Sequence, residues 1–475
     1  MRMGFGNLFL GARVSLNRHR GFTGFLRRVI QVSWREGIKG IWLRLRFHAS
    51  VSGQVNGINA RFGEPPGIDM SVNPRNKGCC FKAARDVPNH RQAMFSGIKL
   101  GLRPGAVLVG HPYAVIGMGE GVRSAANALE SVKVPFSIRN TFGSYGVKDA
   151  EKHTGFRMME RITTSSLYKA NVFYLNADEM DNALAYLGPR FFEGRYNIGC
   201  WAWELSRFPD EWCDAFRLVN EIWALSRFTQ QSIAEKADCP VLRIPHPVEL
   251  TDAGRLSRRD FGLPENKFLF LFFFDFRSYI SRKNPWAVIE AFQKAFGRAG
   301  SKDACLVIKV NGTDHQPEEY SAFCKALESF SEHVILIDKV MEDREIKELL
   351  RVCDSFVSLH RSEGFGRGIA EAMYLGKPVI ATGYSGNLDF TNEMNACLVD
   401  HVLVPVKEGE YPFGKGQLWA DPDIEQAAWY MKRLVYEPSY ASEIGKYAES
   451  YIKTHYSFQV IGAKMRQRLE KLKLI

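Results

Sequence analysis

Residues 354–390, DSFVSLHRSEGFGRGIAEAMYLGKPVIATGYSGNLDF, decide the fold of this 475-residue chain. They predict a strand (Ser355–Leu359), a glycine-rich loop (Glu363–Gly368), a helix (Ile369–Leu375) and a second strand (Val379–Thr382). A strand, a helix and a strand in so short a stretch form a βαβ unit, whose two strands run parallel. The stretch therefore predicts an α/β domain built on a parallel sheet.

The glycine-rich loop is the first candidate for a ligand-binding site. Ligands of parallel sheets bind beyond the carboxyl ends of the strands, which is where this loop falls. Its glycines leave the backbone bare at the start of a helix, and unpaired amides there favour a phosphate or a sugar hydroxyl. Glu363 and Glu371 flank that position. By themselves, two glutamates at this spacing and a glycine turn are also compatible with an ordinary strand connection.

The context of the two glutamates points to a family. The loop HRSEGFGRGIAEAM, followed at once by GKPVIAT, resembles the signature of the family 4 retaining glycosyltransferases. That signature is a glutamate, seven residues and a second glutamate, followed by a Gly-Lys/Val-Pro-Val strand. The resemblance covers about residues 105–473 and implies the GT-B fold, in which two Rossmann-like domains face each other across a cleft.

Length and composition fit two α/β domains with additional segments. A chain of 475 residues is too long for one hydrophobic core. Its 45% hydrophobic and 12% aromatic residues are typical of an ordered globular protein. The predicted segments are a basic extension (1–50), an irregular linker or cap (51–104), an acceptor domain (105–250), a nucleotide-sugar domain (251–440) and C-terminal helices that cross back (441–475).

The cysteines and apolar runs suggest a cytoplasmic protein. The nine cysteines include no C-x-x-C pair, which suits a reducing compartment. The longest apolar run, Phe268 to Phe274, is far shorter than the roughly 18 residues of a membrane span, and it predicts a buried strand. Glycines and Asn7 interrupt the first apolar stretch (Met3–Ala12), so a signal peptide is not expected.

The positive charge of the chain is concentrated in the basic extension. Residues 1–50 hold ten Lys or Arg against the single acid Glu36, so they carry +9 of the net +11. Phe and Trp recur there at helical spacing, an arrangement that suits the surface of an anionic membrane. Docking on the protein itself or on a partner is an equal alternative, because Gly37 and Gly40 would break the helix. Nucleic acid is weakly supported, since no base-reading motif accompanies the charge.

The resemblance assigns donor-binding roles in the second domain. Arg277 and Lys283, near the end of an apolar strand, would neutralise the donor diphosphate. Glu371 would accept hydrogen bonds from the ribose hydroxyls, and Glu363 from the donor sugar. The helix start at Phe365, Gly366 and Arg367 would also face the diphosphate, and main-chain atoms near Val340 would hold the base.

The resemblance is looser in the first domain. Gly117 and Gly119 form a glycine loop at the first strand–helix junction and, with Arg123, would lie near the donor diphosphate and the acceptor. Many family members place a histidine in the cleft at a later strand end. Here Trp203 or Glu204 stands at that position, and His246 is interpreted as structural.

These observations predict a retaining glycosyltransferase that moves a sugar from a nucleoside diphosphate sugar to a hydroxyl of a glycan or lipid-linked acceptor. No DxD-type metal site stands out, and the paired cations would make a metal ion unnecessary. A glycosidase using both glutamates is disfavoured, because eight helical residues span about 12 Å and such pairs lie roughly 5–9.5 Å apart. A sugar-nucleotide epimerase of the same fold and a catalytically silent nucleotide-sugar binder remain alternatives.

Overall fold

The computed structural model describes residues 101–114, 117–141, 158–165, 167–250, 254–297, 302–328 and 333–475. The predicted basic extension lies outside the described residues, and so does the predicted linker except for residues 101–104. Gly97–Met180 and Phe192–Ile475 form one compact unit, and Asp181–Phe191 is the described part of a second. Both large sheets lie in the first unit.

The first sheet has six parallel strands in the order β2-β1-β3-β4-β5-β6. Its centre is apolar, since Ala106 to Val109 on β1 and Val172 on β3 are fully buried. The strands are β1 (Arg103–Gly110), β2 (Phe136–Asn140), β3 (Tyr168–Phe173), β4 (Tyr196–Trp201), β5 (Glu221–Ala224) and β6 (Val241–Arg243).

The second sheet also has six parallel strands, in the order β12-β11-β10-β7-β8-β9. Phe356 pairs with Val379, so the predicted βαβ unit is confirmed and lies near the middle of this sheet. The strands are β7 (Phe268–Asp275), β8 (Ala304–Asn311), β9 (Val334–Asp338), β10 (Ser355–Ser358), β11 (Val379–Thr382) and β12 (Cys397–Val399). An antiparallel hairpin follows, formed by β13 (His401–Pro405) and β14 (Leu418–Pro422).

Helices connect the strands of both sheets. They are α1 (Gly117–Ser131), α2 (Met180–Leu187), α3 (Pro189–Phe192), α4 (Arg227–Ala234), α5 (Ile280–Lys283), α6 (Pro285–Phe296), α7 (Pro317–Glu328), α8 (Asp343–Val352), α9 (Arg367–Tyr374), α10 (Ile424–Tyr436), α11 (Pro438–Tyr456) and α12 (Phe458–Lys471). Two parallel sheets with connecting helices confirm the predicted architecture of two Rossmann-like domains. Among the helices described, none combines the length and apolar character that crossing a membrane requires.

Local sequence explains the ends of the helices that frame the site. Gly376 follows the C-cap of α9 with a φ of +69°, the left-handed conformation in which glycine often ends a helix. Pro285 occupies the first turn of α6, where its missing amide proton costs nothing.

The last helix packs on the first sheet's domain. Gly462 on α12 approaches α1 so closely that a Cβ atom would lie 2.3 Å from the Ala128 carbonyl oxygen. Arg466 donates to the Val132 carbonyl oxygen at 2.9 Å, and Arg468 forms an ion pair with the fully buried Glu221 of β5. The chain therefore returns to its first domain after completing the second.

Candidate active site

The candidate site lies beyond the carboxyl ends of β7 and β10, next to each other in the second sheet. β7 leads into α5, and β10 leads through the glycine-rich loop into α9. Gly366, the N-cap of α9, has a φ of +90°, a conformation that glycine adopts without strain. The first amides of a helix lack partners within the helix and carry its positive dipole end. The loop therefore presents a helix start of the kind that binds anions.

Glu363 is the charged centre of this site. Its Oε1 lies 2.5 Å from Lys283 Nζ, and its Oε2 lies 3.3 Å from Arg282 Nη1. Its backbone amide donates to Ser385 Oγ at 2.8 Å. Burial alone would raise the pKa of this carboxyl, but the charges of Lys283 and Arg282 outweigh that effect and lower the pKa of Glu363 to about 2. Glu363 is therefore an anion at neutral pH, although its side chain is only 12% exposed.

The two cations beside Glu363 differ in their surroundings. Burial lowers the pKa of Lys283, although the charge of Glu363 opposes that shift. Arg282 is buried and donates to the Ser362 carbonyl oxygen at 2.9 Å, while its Nε is buried without a hydrogen-bond partner. The left-handed Asn284 donates its side-chain amide to the Leu359 carbonyl oxygen at 3.1 Å, which fixes the end of α5 against the end of β10.

The sequence predicts Lys283 and Glu363 at the site, and the structure brings them together. Arg282 is a residue that the sequence reasoning missed. The sequence offers one signal for Arg282, which is that it directly precedes Lys283 in the run SRKNP. The prediction paired Lys283 with an arginine six residues earlier, Arg277, and so did not consider Arg282.

Arg277 lies in a separate ion pair. Its Nη2 is 2.6 Å from Asp275 Oδ2 and its Nε is 2.9 Å from Asp275 Oδ1, and the side chain is 42% exposed. Among the described residues, the ion pair of Arg277 is with Asp275 and not with Glu363. Arg282, and not Arg277, is therefore the arginine that pairs with Glu363, and the role of Arg277 at the donor diphosphate stays a prediction.

A chain of four charged side chains links the two sheet domains. Glu371 Oε1 accepts from Arg367 Nε at 2.7 Å, and Arg367 Nη2 lies 2.9 Å from Glu120 Oε1 on α1. Glu120 Oε2 in turn lies 2.7 Å from Arg123 Nη2. Burial opposes ionisation of Glu120, but Arg367 and Arg123 lower its pKa to about 2. Burial raises the pKa of Glu371, with Arg367 opposing the shift.

Phe365 and Val340, both predicted to bind the donor, differ in burial. Phe365 is buried and packs edge-to-face on His246, with ring centroids 5.6 Å apart, and against Phe390 at 5.1 Å. Only its main chain is left to face a ligand. Val340 follows β9 in a loop and is 77% exposed. His246, interpreted from the sequence as structural, is buried, and burial with the nearby charge of Arg367 lowers its pKa to about 3.

The two glycines of the first domain have different surroundings. A Cβ atom on Gly119 would lie 2.3 Å from the Ala114 carbonyl oxygen and 2.7 Å from that of His111. Gly119 therefore lets α1 approach the loop after β1, and Arg123 holds the same loop by donating to the Ala114 carbonyl oxygen at 2.9 Å. A Cβ atom on Gly117 would meet no atom within 4 Å.

The structure separates Trp203 from Glu204. Trp203 is 1% exposed, and its indole nitrogen donates to the Arg207 carbonyl oxygen at 2.9 Å, so it belongs to the core. Glu204 is half-buried, accepts from Tyr411 at 2.6 Å, and its charge acts on both Arg282 and Lys283. Of the two, Glu204 is the residue that faces the site.

Comparison with known families identifies this part of the chain. Residues 255–451, which contain the whole second sheet, match the model of the family glycosyl transferases group 1. The matched residues cover this domain and leave the strands of the first sheet outside the match. A comparison with curated proteins finds no match.

Several solved structures share the fold of this chain. HepE of Anabaena in complex with UDP-glucose has a TM-score of 0.56 at 13% identity, over 78% of this chain and 100% of HepE. A glycosyltransferase of Rickettsia africae has a TM-score of 0.56 at 14% identity, over 78% and 98% of the two chains. Sucrose-phosphate synthase of Thermosynechococcus elongatus has a TM-score of 0.55 at 13% identity, over 78% and 99%. These likenesses show that the two domains have the GT-B fold.

Proposed function

We propose that this protein transfers a glycosyl group from a nucleoside diphosphate sugar to an acceptor hydroxyl, with retention at the anomeric carbon and without a metal ion. One observation carries the proposal. Lys283 and Arg282 converge on a buried anion, Glu363, beside the N-terminus of α9 in a glycosyl transferases group 1 domain. This is a built site for concentrated negative charge.

The chemistry of the transfer needs such a site. When the bond between the anomeric carbon and the diphosphate breaks, negative charge grows on the leaving phosphate and the sugar acquires oxocarbenium character. Lys283 would meet the phosphate charge as a compact cation, and the first amides of α9 would add donors oriented in advance. Glu363, kept ionised by the same cations, would stabilise the positive charge on the sugar or accept from its hydroxyls.

Metal independence is part of the proposal and rests on these cations. Lys283, Arg282 and the helix start supply the positive charge that a divalent ion would otherwise supply to a diphosphate. Within the described residues, no group of three or more His, Cys, Asp or Glu side chains is placed to hold a metal ion. A test is direct, because a metal-independent enzyme keeps its turnover in excess EDTA.

Glu371 would bind the ribose of the donor. Arg367 occupies its Oε1, and among the described residues no hydrogen bond reaches its Oε2. A ribose hydroxyl could donate to that second oxygen. The link from Arg367 to Glu120 would then connect donor binding to the first domain, which supplies the acceptor side of the cleft.

The acceptor is proposed from the N-terminal charge. The +9 carried by residues 1–50 supports docking on an anionic membrane surface, and a lipid-linked acceptor or a growing glycan would be presented there. We place this reaction on the cytoplasmic face, in cell-surface polysaccharide or glycolipid assembly. The UDP-glucose bound to HepE makes UDP sugars the first donors to try.

A panel of nucleoside diphosphate sugars tests the proposal. A ligand at 100 times its dissociation constant stabilises the folded protein by about 2.7 kcal/mol, so the true donor should raise the melting temperature while free sugar should not. Release of nucleoside diphosphate from that donor should then follow. An epimerase would convert its donor with no acceptor present, and a silent binder would be stabilised without turnover.

A further inference from the structure

The loop of the β13–β14 hairpin spans the two sheet domains. We call residues 406–417 the strap. Within the strap, the Val406 amide donates to the Gln417 carbonyl oxygen at 2.9 Å, and the Gln417 side chain donates to the Phe413 carbonyl oxygen at 2.9 Å. These bonds give the loop a defined internal structure. The hairpin itself is tied to the second domain, because the Ala420 amide donates to the Arg361 carbonyl oxygen at 3.0 Å.

The strap is anchored on the first domain by a reciprocal pair of bonds. The Arg207 amide donates to Gln417 Oε1 at 2.8 Å, and Gln417 Nε2 donates back to the Arg207 carbonyl oxygen at 3.2 Å. Arg207 also donates its side chain to the Gly416 carbonyl oxygen. Phe413 packs on Trp212 with ring centroids 5.7 Å apart. The strap therefore contacts the first domain, while the hairpin that carries it is tied to the second.

Tyr411 is the strap residue that reaches the site. Its ring packs against Tyr279 at 4.9 Å and Trp203 at 5.7 Å, and the Arg282 guanidinium lies 5.8 Å from its centroid. Its hydroxyl donates to Glu204 Oε2 at 2.6 Å. Burial, together with the charge of Glu204, raises the pKa of this phenol, so it stays a donor at neutral pH. Packing on several sides fixes the ring, and the fixed ring fixes the carboxylate.

The carboxylate that Tyr411 holds lies beside the glycine-rich loop. Glu204 follows β4, and a Cβ atom on Gly364 would lie 3.8 Å from Glu204 Cγ, so the side chain lies against the glycine-rich loop. Within the described residues, the hydrogen bond from Tyr411 is the one that Glu204 accepts, and its Oε1 accepts none. A half-buried carboxylate with one oxygen held and the other open is suited to accept from a hydroxyl group.

We infer that Glu204, positioned by Tyr411 of the strap, selects the sugar to be transferred by accepting a hydrogen bond from one of its hydroxyls. The inference rests on the proposed function and adds a specificity determinant to it. Phosphate contacts through Lys283 and Arg282 are common to all nucleoside diphosphate sugars and cannot discriminate among them. A carboxylate held in a fixed position can, because an epimer that turns its hydroxyl away leaves the carboxylate unpaired.

The test compares Glu204→Gln and Tyr411→Phe with the wild type, using UDP-glucose, UDP-galactose and UDP-N-acetylglucosamine as donors. Discrimination is the ratio of kcat/KM between the best donor and its disfavoured epimer. Glutamine keeps one acceptor oxygen, which Tyr411 engages, and presents a donating amide to the sugar. Loss of the charged acceptor should therefore reduce this ratio about 10- to 100-fold in Glu204→Gln. Tyr411→Phe should reduce it less, because the carboxylate stays but is no longer fixed.

Two controls separate sugar recognition from other effects. The inhibition constant of free UDP should stay within about 2-fold in both variants or fall, because Glu204 opposes the phosphate charge and does not bind it. Arg207→Ala removes the side-chain bond to Gly416 and keeps the main-chain bonds to Gln417, so it should lower the melting temperature while leaving the donor ratio unchanged.

The outcomes distinguish this inference from the proposed function. If the wild type turns over none of a full panel of nucleoside diphosphate sugars, both fail. If it turns over a donor but Glu204→Gln keeps the donor ratio, the inference alone is overturned. It is also overturned if UDP binding weakens as much as donor binding, or if Arg207→Ala changes the ratio as much as Tyr411→Phe does.

Discussion

Replacing Lys283 by methionine should separate the phosphate-binding cation from its neighbours. Methionine keeps a stem of similar length and removes the charge. The usual pKa of a glutamate, 4.5, falls to about 2 at Glu363. At 1.36 kcal/mol per pKa unit, that shift means that the surroundings favour negative charge at this point by about 3 kcal/mol. Burial acts in the opposite direction, so the attraction of the cations is at least this large.

Lys283 should supply more than half of that attraction. It lies 2.5 Å from Glu363, against 3.3 Å for Arg282. About 2 kcal/mol corresponds to a factor of about 30 in rate, so Lys283→Met should lower kcat/KM for the donor at least about 30-fold. Lys294→Met is the matched control, because Lys294 on α6 also pairs with a glutamate, Glu425, but is 39% exposed. It should lower kcat/KM less than about 5-fold.

Stability measurements complete this test. Lys283→Met leaves a buried carboxylate with one cation, so the melting temperature should fall. Adding Glu363→Gln should restore much of that stability without restoring turnover. Steady-state kinetics of nucleoside diphosphate release and thermal unfolding check both effects. The reasoning is refuted if Lys294→Met is as damaging as Lys283→Met, or if the double variant regains turnover.

Four further predictions follow from the same structure. Gly119→Ala should lower the melting temperature by several degrees, because its Cβ atom would lie 2.3 Å from a carbonyl oxygen. Gly117→Ala should leave the melting temperature nearly unchanged, and an equal fall in both variants would contradict this prediction. Glu371→Ala should raise the donor KM with little change in kcat, while Glu363→Ala should mainly lower kcat; reversed signatures would exclude the two roles. Because the folded-state pKa of Glu363 is depressed, its stabilising effect of about 3 kcal/mol is present above pH 4.5 and is lost as the pH falls towards 2. The difference in unfolding free energy between wild type and Glu363→Gln should therefore shrink with acidification. A difference that stays constant with pH would argue against the lowered pKa. Deleting residues 1–50 should abolish sedimentation with anionic vesicles and leave turnover on a soluble acceptor intact; a large fall in melting temperature with vesicle binding unchanged would favour docking on the protein instead.

The sequence predicts the fold well where patterns are local. The stretch from Ser355 to Thr382 contains a strand, a helix start and a glycine C-cap, and each signal depends on neighbours within a few residues. Strand β2 (Phe136–Asn140) and the β13–β14 hairpin were missed. Both are short and carry polar or exposed residues, so they lack the apolar run that marks the buried strands.

The site was only partly predictable, because its contacts join residues that lie far apart in the sequence. Lys283 and Glu363 lie 80 residues apart, and only a family motif places both at the same sheet edge. The role of Arg282 depends on which way a short helical turn faces, which spacing alone does not determine. The contact between Tyr411 and Glu204 joins residues 207 positions apart through a hairpin that the sequence did not reveal.

The charge bridge from Arg367 to Glu120 shows the same limit. The sequence places Arg367 at the start of α9 and predicts a role towards the donor. The structure pairs it with an acid on α1, at a sequence separation of 247 residues. Such a contact depends on how two domains close on each other, and no local pattern reports it.

The most direct test of the central claim is the anomeric configuration of the sugar that the enzyme releases. The protein would be incubated with α-linked UDP sugars in excess EDTA, with water as the acceptor, and the first sugar product followed by proton NMR before mutarotation. The account predicts release of UDP, with the sugar leaving as the α-anomer and the rate falling at least about 30-fold in Lys283→Met. Release of the β-anomer, loss of turnover in EDTA, or a Lys283→Met variant as active as the wild type would contradict it.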